Sequence, residues 1–259
     1  MIDPATGWGW LPEAGLDEWL TSVNPVARRI ASDPEARAAW LRHGETWFAG
    51  VNVLPNDASG AVANGPPLPP AVMAAAEAVL GQPPAWDAGQ LSVVYPGYPR
   101  RDAEESEGNH RFRKLRDAAH VDGLLPVGTE RRRKMQEPHA FVLGIPLNTT
   151  GPGASPMVVW EGSHEVMRAA FRAALAGVPE EAWGDVDLTE VYQAARRRCF
   201  ERCRRVPVHA QPGEAYLIHR LALHGVAPWE EGAEAPEAGR MIVYFRPAFS
   251  GKLNWLDAP

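Results

Sequence analysis

The sequence predicts a mainly β fold, a sandwich or barrel of short strands with flanking helices, and three observations carry that expectation. The runs 91–95, 139–147, 157–160, 206–209, 215–218 and 241–245 are rich in β-branched, aromatic and other apolar residues, and turn residues separate them. They all fall in the last two thirds of the chain, whereas the first third has helical composition. A length of 259 residues with 45% apolar and 22% charged side chains suits one globular unit with a sizeable core.

In chain order, Ser32-Asp33-Pro34 offers a cap and a proline for the first turn of a helix running to Leu41, with Gly44 able to end it. Pro69-Pro70 opens a second, alanine-rich helix to Leu80, closed by Gly81, and the stretch between the two has loop composition. Leu91 to Tyr95, stopped by Pro96-Gly97, marks the switch to strands. The densely charged stretch from Pro99 to Ala119 reads as a solvated loop or short helix. Gly123 to Pro138 carries Arg131-Arg132-Arg133-Lys134, and the strand from His139 to Leu147 ends in the wide turn Asn148-Thr149-Thr150-Gly151. After the strand at 157–160, Ser163 caps a helix through about Leu175 and Asp187 opens another to Cys203, a pair that reads as an insertion between strands. The expected organisation is a single domain over 1–259. It has N-terminal helical support at about 1–88 and a core at about 89–250, which contains a helical insertion at about 163–204. No internal repeat is present.

Composition removes several function classes. A formal charge of −6 and the lack of a recognised nucleic-acid module argue against nucleic-acid partners. Cys199 and Cys203, the only cysteines, stand four apart in a helical stretch, which suits a reduced compartment better than a disulfide framework. The N-terminus has neither the basic region nor the apolar core of a signal peptide, and the uncharged stretch from about Ala140 to Trp160 is broken by three prolines. A cytoplasmic protein without a membrane span is expected.

The chemistry concentrates in His120-Val121-Asp122, in His224 about 100 residues later, and in Arg240. In an extended strand, residues two apart project to the same side, so His120 and Asp122 can hold one face of an octahedral ion. Two histidines and one carboxylate are the ligand set of non-haem iron(II) oxygenases, which leaves open positions on the metal. His219 is the alternative third ligand, although Gly225 directly after His224 permits the close backbone approach that a metal strand needs. Arg240 offers a planar fork of donors matched to a carboxylate, and Arg246, six residues on and on the same strand face by parity, is its alternative.

Four segments, AAHVDGLLP, ASPMVVWEGSH, GEAYLIHRLALHG and GRMIVYFRP, resemble in order those of the phytanoyl-CoA dioxygenase-like family of iron(II)/2-oxoglutarate-dependent oxygenases, over about residues 90 to 247. The resemblance implies a double-stranded β-helix (jelly-roll, cupin-like) core. It implies an enzyme that binds Fe(II) through His120, Asp122 and His224 and holds the distal carboxylate of the cosubstrate 2-oxoglutarate with Arg240. It further implies use of molecular oxygen to hydroxylate an unactivated carbon of a small-molecule substrate, with release of succinate and carbon dioxide. Halogenating relatives lack the carboxylate ligand, so Asp122 favours hydroxylation. The loop EEGAEAPEAG before Arg240 is longer than in the shortest family examples, which leaves the register of Arg240 open against Arg246.

Other readings stay open. A jelly roll that binds metal or ligand without turnover, and a cupin-like metalloenzyme independent of 2-oxoglutarate, use the same residues. Tyr95, His139, Trp160 and Trp229 are pocket or core candidates, and His164 is either a site-loop histidine or a helix-start polar residue. The arginines at 131–133 and those at 196–198 with Arg202, Arg204 and Arg205 either meet an anionic substrate or form solvated faces.

Overall fold

Every residue of four apolar runs, Phe141–Pro146, Met157–Trp160, Ala215–His219 and Arg240–Phe245, is buried, so these strands are covered on both faces. The computed structural model describes residues 1–249 and 252–258, and the expected core boundary at about 250 lies outside the described residues. Its strands are β1 (Trp8–Leu11), β2 (Leu41–Arg42), β3 (Trp47–Gly50), β4 (Gln90–Val94), β5 (Leu124–Val127), β6 (Arg132–Met135), β7 (Phe141–Pro146), β8 (Met157–Trp160), β9 (Arg205–Val208), β10 (Ala215–His219), β11 (His224–Val226) and β12 (Arg240–Phe245). All pairings are antiparallel: a seven-stranded sheet in the order β1-β10-β7-β12-β4-β3-β2, a three-stranded sheet β11-β8-β9, and the hairpin β5-β6.

Alternation along the strands divides the core. Val142, Tyr216, Ile218, Ile242 and Tyr244 of the large sheet meet Met157, Val159 and Val208 of the small one, so the two sheets pack face to face. The intervening residues, Phe141, Leu143, Met241, Val243 and Phe245, point the other way into the larger apolar cluster. There Trp19 packs edge-on against Phe245, and Trp86 against both Phe141 and Phe245. Burial of one such aromatic contributes about 1.5–3 kcal/mol. Trp19 belongs to the helix Asp17–Ser32, whose buried residues Trp19, Leu20, Val23, Val26, Ala27 and Ala31 form one stripe. On the far side, two helices between β8 and β9, Ser163–Leu175 and Thr189–Arg202, cover the small sheet, with Trp160 packed against Phe200.

The helices expected in the first third are present as Pro34–Trp40, capped by Asp33, and Pro70–Leu80, ended by Gly81 in the left-handed conformation. That third is not wholly helical, because β1, β2 and β3 extend the large sheet at its two edges. Ser163 does not cap its helix. Gly162 takes the cap position, and the Ser163 hydroxyl accepts from the Leu223 amide at 2.8 Å. The charged stretch before His120 forms the helix Glu107–Leu115. No helix among the described residues is long and apolar enough to cross a membrane.

Candidate metal centre

His120 and His224 are brought side by side by reciprocal backbone hydrogen bonds, His120 N–H to the His224 carbonyl at 2.8 Å and the reverse at 3.0 Å. Their rings lie 4.7 Å apart. The sequence predicts a strand for His120-Val121-Asp122, but the extended stretch is only a single bridge. It is bounded by Asp117 and Ala118 before it and Gly123 after it, all with positive φ. These turns stop the segment from continuing along β11 yet still aim His120 and Asp122 together. Asp117 anchors the approach: its carbonyl accepts from Val226 N–H, and its carboxylate takes two bonds from Arg205, at 2.7 and 2.8 Å. Gly225 makes this contact possible, since a Cβ there would sit 2.1 Å from the Asp117 carbonyl oxygen.

One ligand atom from each of His120, Asp122 and His224 lies within 4.8 Å of the others. His120 Nε2 is 3.2 Å and His224 Nε2 is 3.8 Å from the same Asp122 oxygen, Oδ1. Each ring commits its other nitrogen to a backbone carbonyl two residues earlier, His120 Nδ1 to Ala118 at 3.1 Å and His224 Nδ1 to Ala222 at 2.9 Å. That pattern fixes the Nδ1–H tautomer and leaves the Nε2 lone pairs facing Asp122. Burial brings the His224 imidazole down to about 4 even though Asp122 opposes this, so the ring is neutral at pH 7, as a metal ligand must be. Burial works against the Asp122 charge as well. The close approach of His120, with His224 and Arg246 alongside, outweighs it and holds the carboxyl well below the usual carboxylate range. Three electron-pair donors thus converge on one point, an arrangement a divalent cation satisfies.

A cavity of about 220 Å³ surrounds this point, lined on the inter-sheet side by Ser92, Val142, Met157 and Tyr244. Arg246 lines it too, with Nη1 3.5 Å from Asp122 Oδ2 and Nη2 donating to Gln90 Oε1 at 2.6 Å. Arg240 lies on the same face of β12 by parity, beyond Tyr244 and Ile242, and lines a separate small cavity with Asn148, Thr150 and His209. It is only 4% exposed, and Nε, Nη1 and Nη2 all lack a hydrogen-bond partner among the described residues. Asn148 sets its register, donating to the Gly239 carbonyl at 2.7 Å and accepting from Met241 N–H at 3.0 Å.

The structure also separates the alternatives. His219 is buried away from the triad, with Nε2 2.9 Å from Arg168 Nη2 and Nδ1 accepting from Leu221 N–H. His164 contacts the Pro4 carbonyl, and His139 contacts the Arg246 carbonyl and Glu137. Tyr95, Trp160 and Trp229 do not line the cavities beside the triad. Four of the basic residues meet carboxylates or rings: Arg132 with Asp187, Arg204 with Glu161, Arg205 with Asp117, and Arg196 over Phe112 and Tyr192. Sequence reasoning missed Trp47, Gln90 and Ser92 around the triad, because they come from strands without motif residues.

No protein-family model matches the chain. No curated protein matches it either. Solved structures do. The non-heme alpha ketoglutarate dependent epimerase SnoN from nogalamycin biosynthesis superposes with a TM-score of 0.53 at 16% identity, covering 95% of this chain and 79% of that one. EctD from S. alaskensis, solved with 2-oxoglutarate and 5-hydroxyectoine, gives 0.50 at 16% identity over 95% and 73%. The carbocyclase SnoK from nogalamycin biosynthesis gives 0.50 at 13% identity over 96% and 82%. The chain shares its fold with these enzymes. Another SnoN structure holds Fe3+, alpha ketoglutarate and nogalamycin RO.

Proposed function

We propose that this protein is an iron(II)- and 2-oxoglutarate-dependent dioxygenase that hydroxylates an unactivated carbon of a small organic substrate. The observation that carries the reading is the convergence of His120 Nε2, His224 Nε2 and Asp122 Oδ1 with both histidine Nδ1 atoms already committed elsewhere. Such a set fits Fe(II) and leaves positions open for a cosubstrate and oxygen. On this reading the facing sheets β10-β7-β12-β4 and β11-β8-β9 form a double-stranded β-helix within a single oxygenase domain. The four family-like segments favour the phytanoyl-CoA dioxygenase-like branch.

His120, Asp122 and His224 would hold the metal, and Arg240 would hold the far carboxylate of 2-oxoglutarate. The fit of Arg240 rests on its buried guanidinium, whose three nitrogens lack an acceptor among the described residues. A carboxylate supplies both the missing acceptors and the counter-charge. The bound iron, 2-oxoglutarate and dioxygen supply the oxidising chemistry, in which 2-oxoglutarate becomes succinate and carbon dioxide and one oxygen atom enters the substrate. The chain's own residues orient and enclose. Arg246, itself held by Gln90, fixes Asp122 Oδ2 so that Oδ1 faces the histidines. Trp47, held by its indole N–H on the Ser92 hydroxyl at 3.0 Å, walls the cavity.

The test is turnover of 2-oxoglutarate by iron-loaded protein, read as succinate, with and without a panel of small molecules whose products are weighed for gain of one oxygen atom. Succinate formation that disappears in His224→Ala supports the reading. Metal binding without any affinity for 2-oxoglutarate would instead identify a cupin-like metalloenzyme. Binding of both without turnover across the panel would identify a non-catalytic jelly roll.

A further inference from the structure

A second chamber, of about 350 Å³, adjoins the triad and shares Trp47, His120, Asp122, Val226 and Arg246 with the inter-sheet cavity. The metal centre therefore stands in the wall between two compartments. The second one is bounded by Tyr98, Tyr192, Leu124 and Leu125, and its size falls within the range of small-molecule sites, roughly 300–1,000 Å³. We propose that this chamber holds the primary substrate and that the substrate carries an anionic group, a carboxylate or phosphate, on an apolar, planar body. The assignment to the primary substrate rests on the oxygenase reading above; the preference for an anion does not.

The charges around the chamber carry the argument. Asp117 has both oxygens taken by Arg205, Arg113 pairs with Glu105 at 2.7 Å, and Glu137 meets His139 at 3.0 Å. Asp122 faces the two histidines and Arg246. Arg133 is left over. Its Nη1 donates to the Leu124 carbonyl at 3.0 Å, and among the described residues no carboxylate lies within ion-pair distance of it. Its position is fixed by the inserted helices, since its amide donates to the Thr189 hydroxyl at 2.7 Å and its carbonyl accepts from Leu188 N–H at 2.9 Å. Its neighbour Arg132, on the opposite face of β6, is paired with Asp187 instead. The chamber thus presents a pre-positioned guanidinium without a counter-ion, and Arg246 adds a second cation beside the triad. A planar fork of donors in a partly enclosed chamber selects carboxylates and phosphates over neutral groups. Trp47, Tyr98 and Tyr192 supply flat apolar surface for the rest of the molecule.

The experiment uses full-length protein loaded with Mn(II) and N-oxalylglycine. Calorimetry compares 3-phenylpropionate with 3-phenylpropionamide, and phenyl phosphate with phenol, in the wild type, Arg133→Gln and Arg133→Lys. The two pairs separate a carboxylate site from a phosphate site. At least one anion is expected to bind about tenfold or more tightly than its neutral counterpart. Arg133→Gln is expected to abolish that preference and Arg133→Lys to restore part of it, with Mn(II) and N-oxalylglycine binding as in the wild type. Absence of anion binding, equal binding of anion and neutral partner, or a preference that survives in Arg133→Gln would overturn the proposal. If Mn(II) and N-oxalylglycine fail to bind the wild type while the Arg133-dependent preference persists, the anion site stands and the oxygenase reading falls.

Discussion

Arg240→Met separates an anion-binding arginine from a structural one, because the two roles predict opposite signs in two measurements. In the structure the guanidinium is 4% exposed and none of its nitrogens has a hydrogen-bond partner among the described residues. A buried cation without a counter-charge destabilises the folded state, and replacing buried ionic groups by apolar ones of similar volume commonly stabilises by about 1–4 kcal/mol. Methionine has comparable length, so the ligand-free variant should melt higher, by about 2–4 °C per kcal/mol gained in a chain of this size. Binding of 2-oxoglutarate should move the other way. Loss of a charge-assisted, two-pronged contact removes about 3 kcal/mol, which is roughly a hundredfold in Kd. Differential scanning fluorimetry without ligand and calorimetry of 2-oxoglutarate on Mn(II)-loaded protein read the two quantities. A variant that is less stable and binds 2-oxoglutarate unchanged refutes the reasoning. If Arg246→Met, and not Arg240→Met, weakens 2-oxoglutarate, the carboxylate anchor is the arginine beside Asp122.

Gly225→Ala should destabilise the fold by about 1–3 kcal/mol, because the new Cβ would fall 2.1 Å from the Asp117 carbonyl oxygen. The same change should weaken metal binding by moving His120 away from His224, as chemical denaturation and Mn(II) titration would register. Burial, with help from Arg220, His164 and Arg168, brings the His219 imidazole down to about 2. The unfolded chain therefore binds a proton near pH 6.5 that the folded chain refuses. The stabilisation is fully present above pH 6.5 and falls as the pH drops towards 2, by about 1.4 kcal/mol per pH unit from this group. Urea denaturation between pH 7 and 5 should show a slope in His219→Gln that is shallower than the wild type's by about that amount, since His224 contributes in the same window; an unchanged slope would assign the acid sensitivity to other groups.

Much of the sheet was legible because its strands are buried on both faces and so read as dense apolar runs, as at Phe141–Pro146 and Met157–Trp160. The edge strands were not. Trp8–Leu11 contains a glycine, and Leu41–Arg42 is too short to show a period. The helix Asp17–Ser32 carries Pro25 in its interior, which reads as a break in the sequence although tertiary packing of its apolar stripe holds it together. The charged strand Arg132–Met135 went unassigned, because its hairpin lies outside both sheets and shows no apolar run. In the candidate centre, His120, Asp122 and His224 were readable from residue type and spacing, as was the need for glycine at 225. Their tautomers were not, since these depend on carbonyls that turn inward at Ala118 and Ala222. Asn148 as the clamp on Arg240, and Arg133 as a cation without a carboxylate partner among the described residues, emerge only when distant segments meet in space.

The most direct measurement of the central claim is a Mn(II) titration followed by electron paramagnetic resonance, comparing the wild type with His120→Ala, Asp122→Ala and His224→Ala. The account predicts one bound ion per chain in the wild type and loss of that site in each variant, while circular dichroism stays unchanged. A wild type that binds no ion, or three variants that bind it as the wild type does, would contradict it.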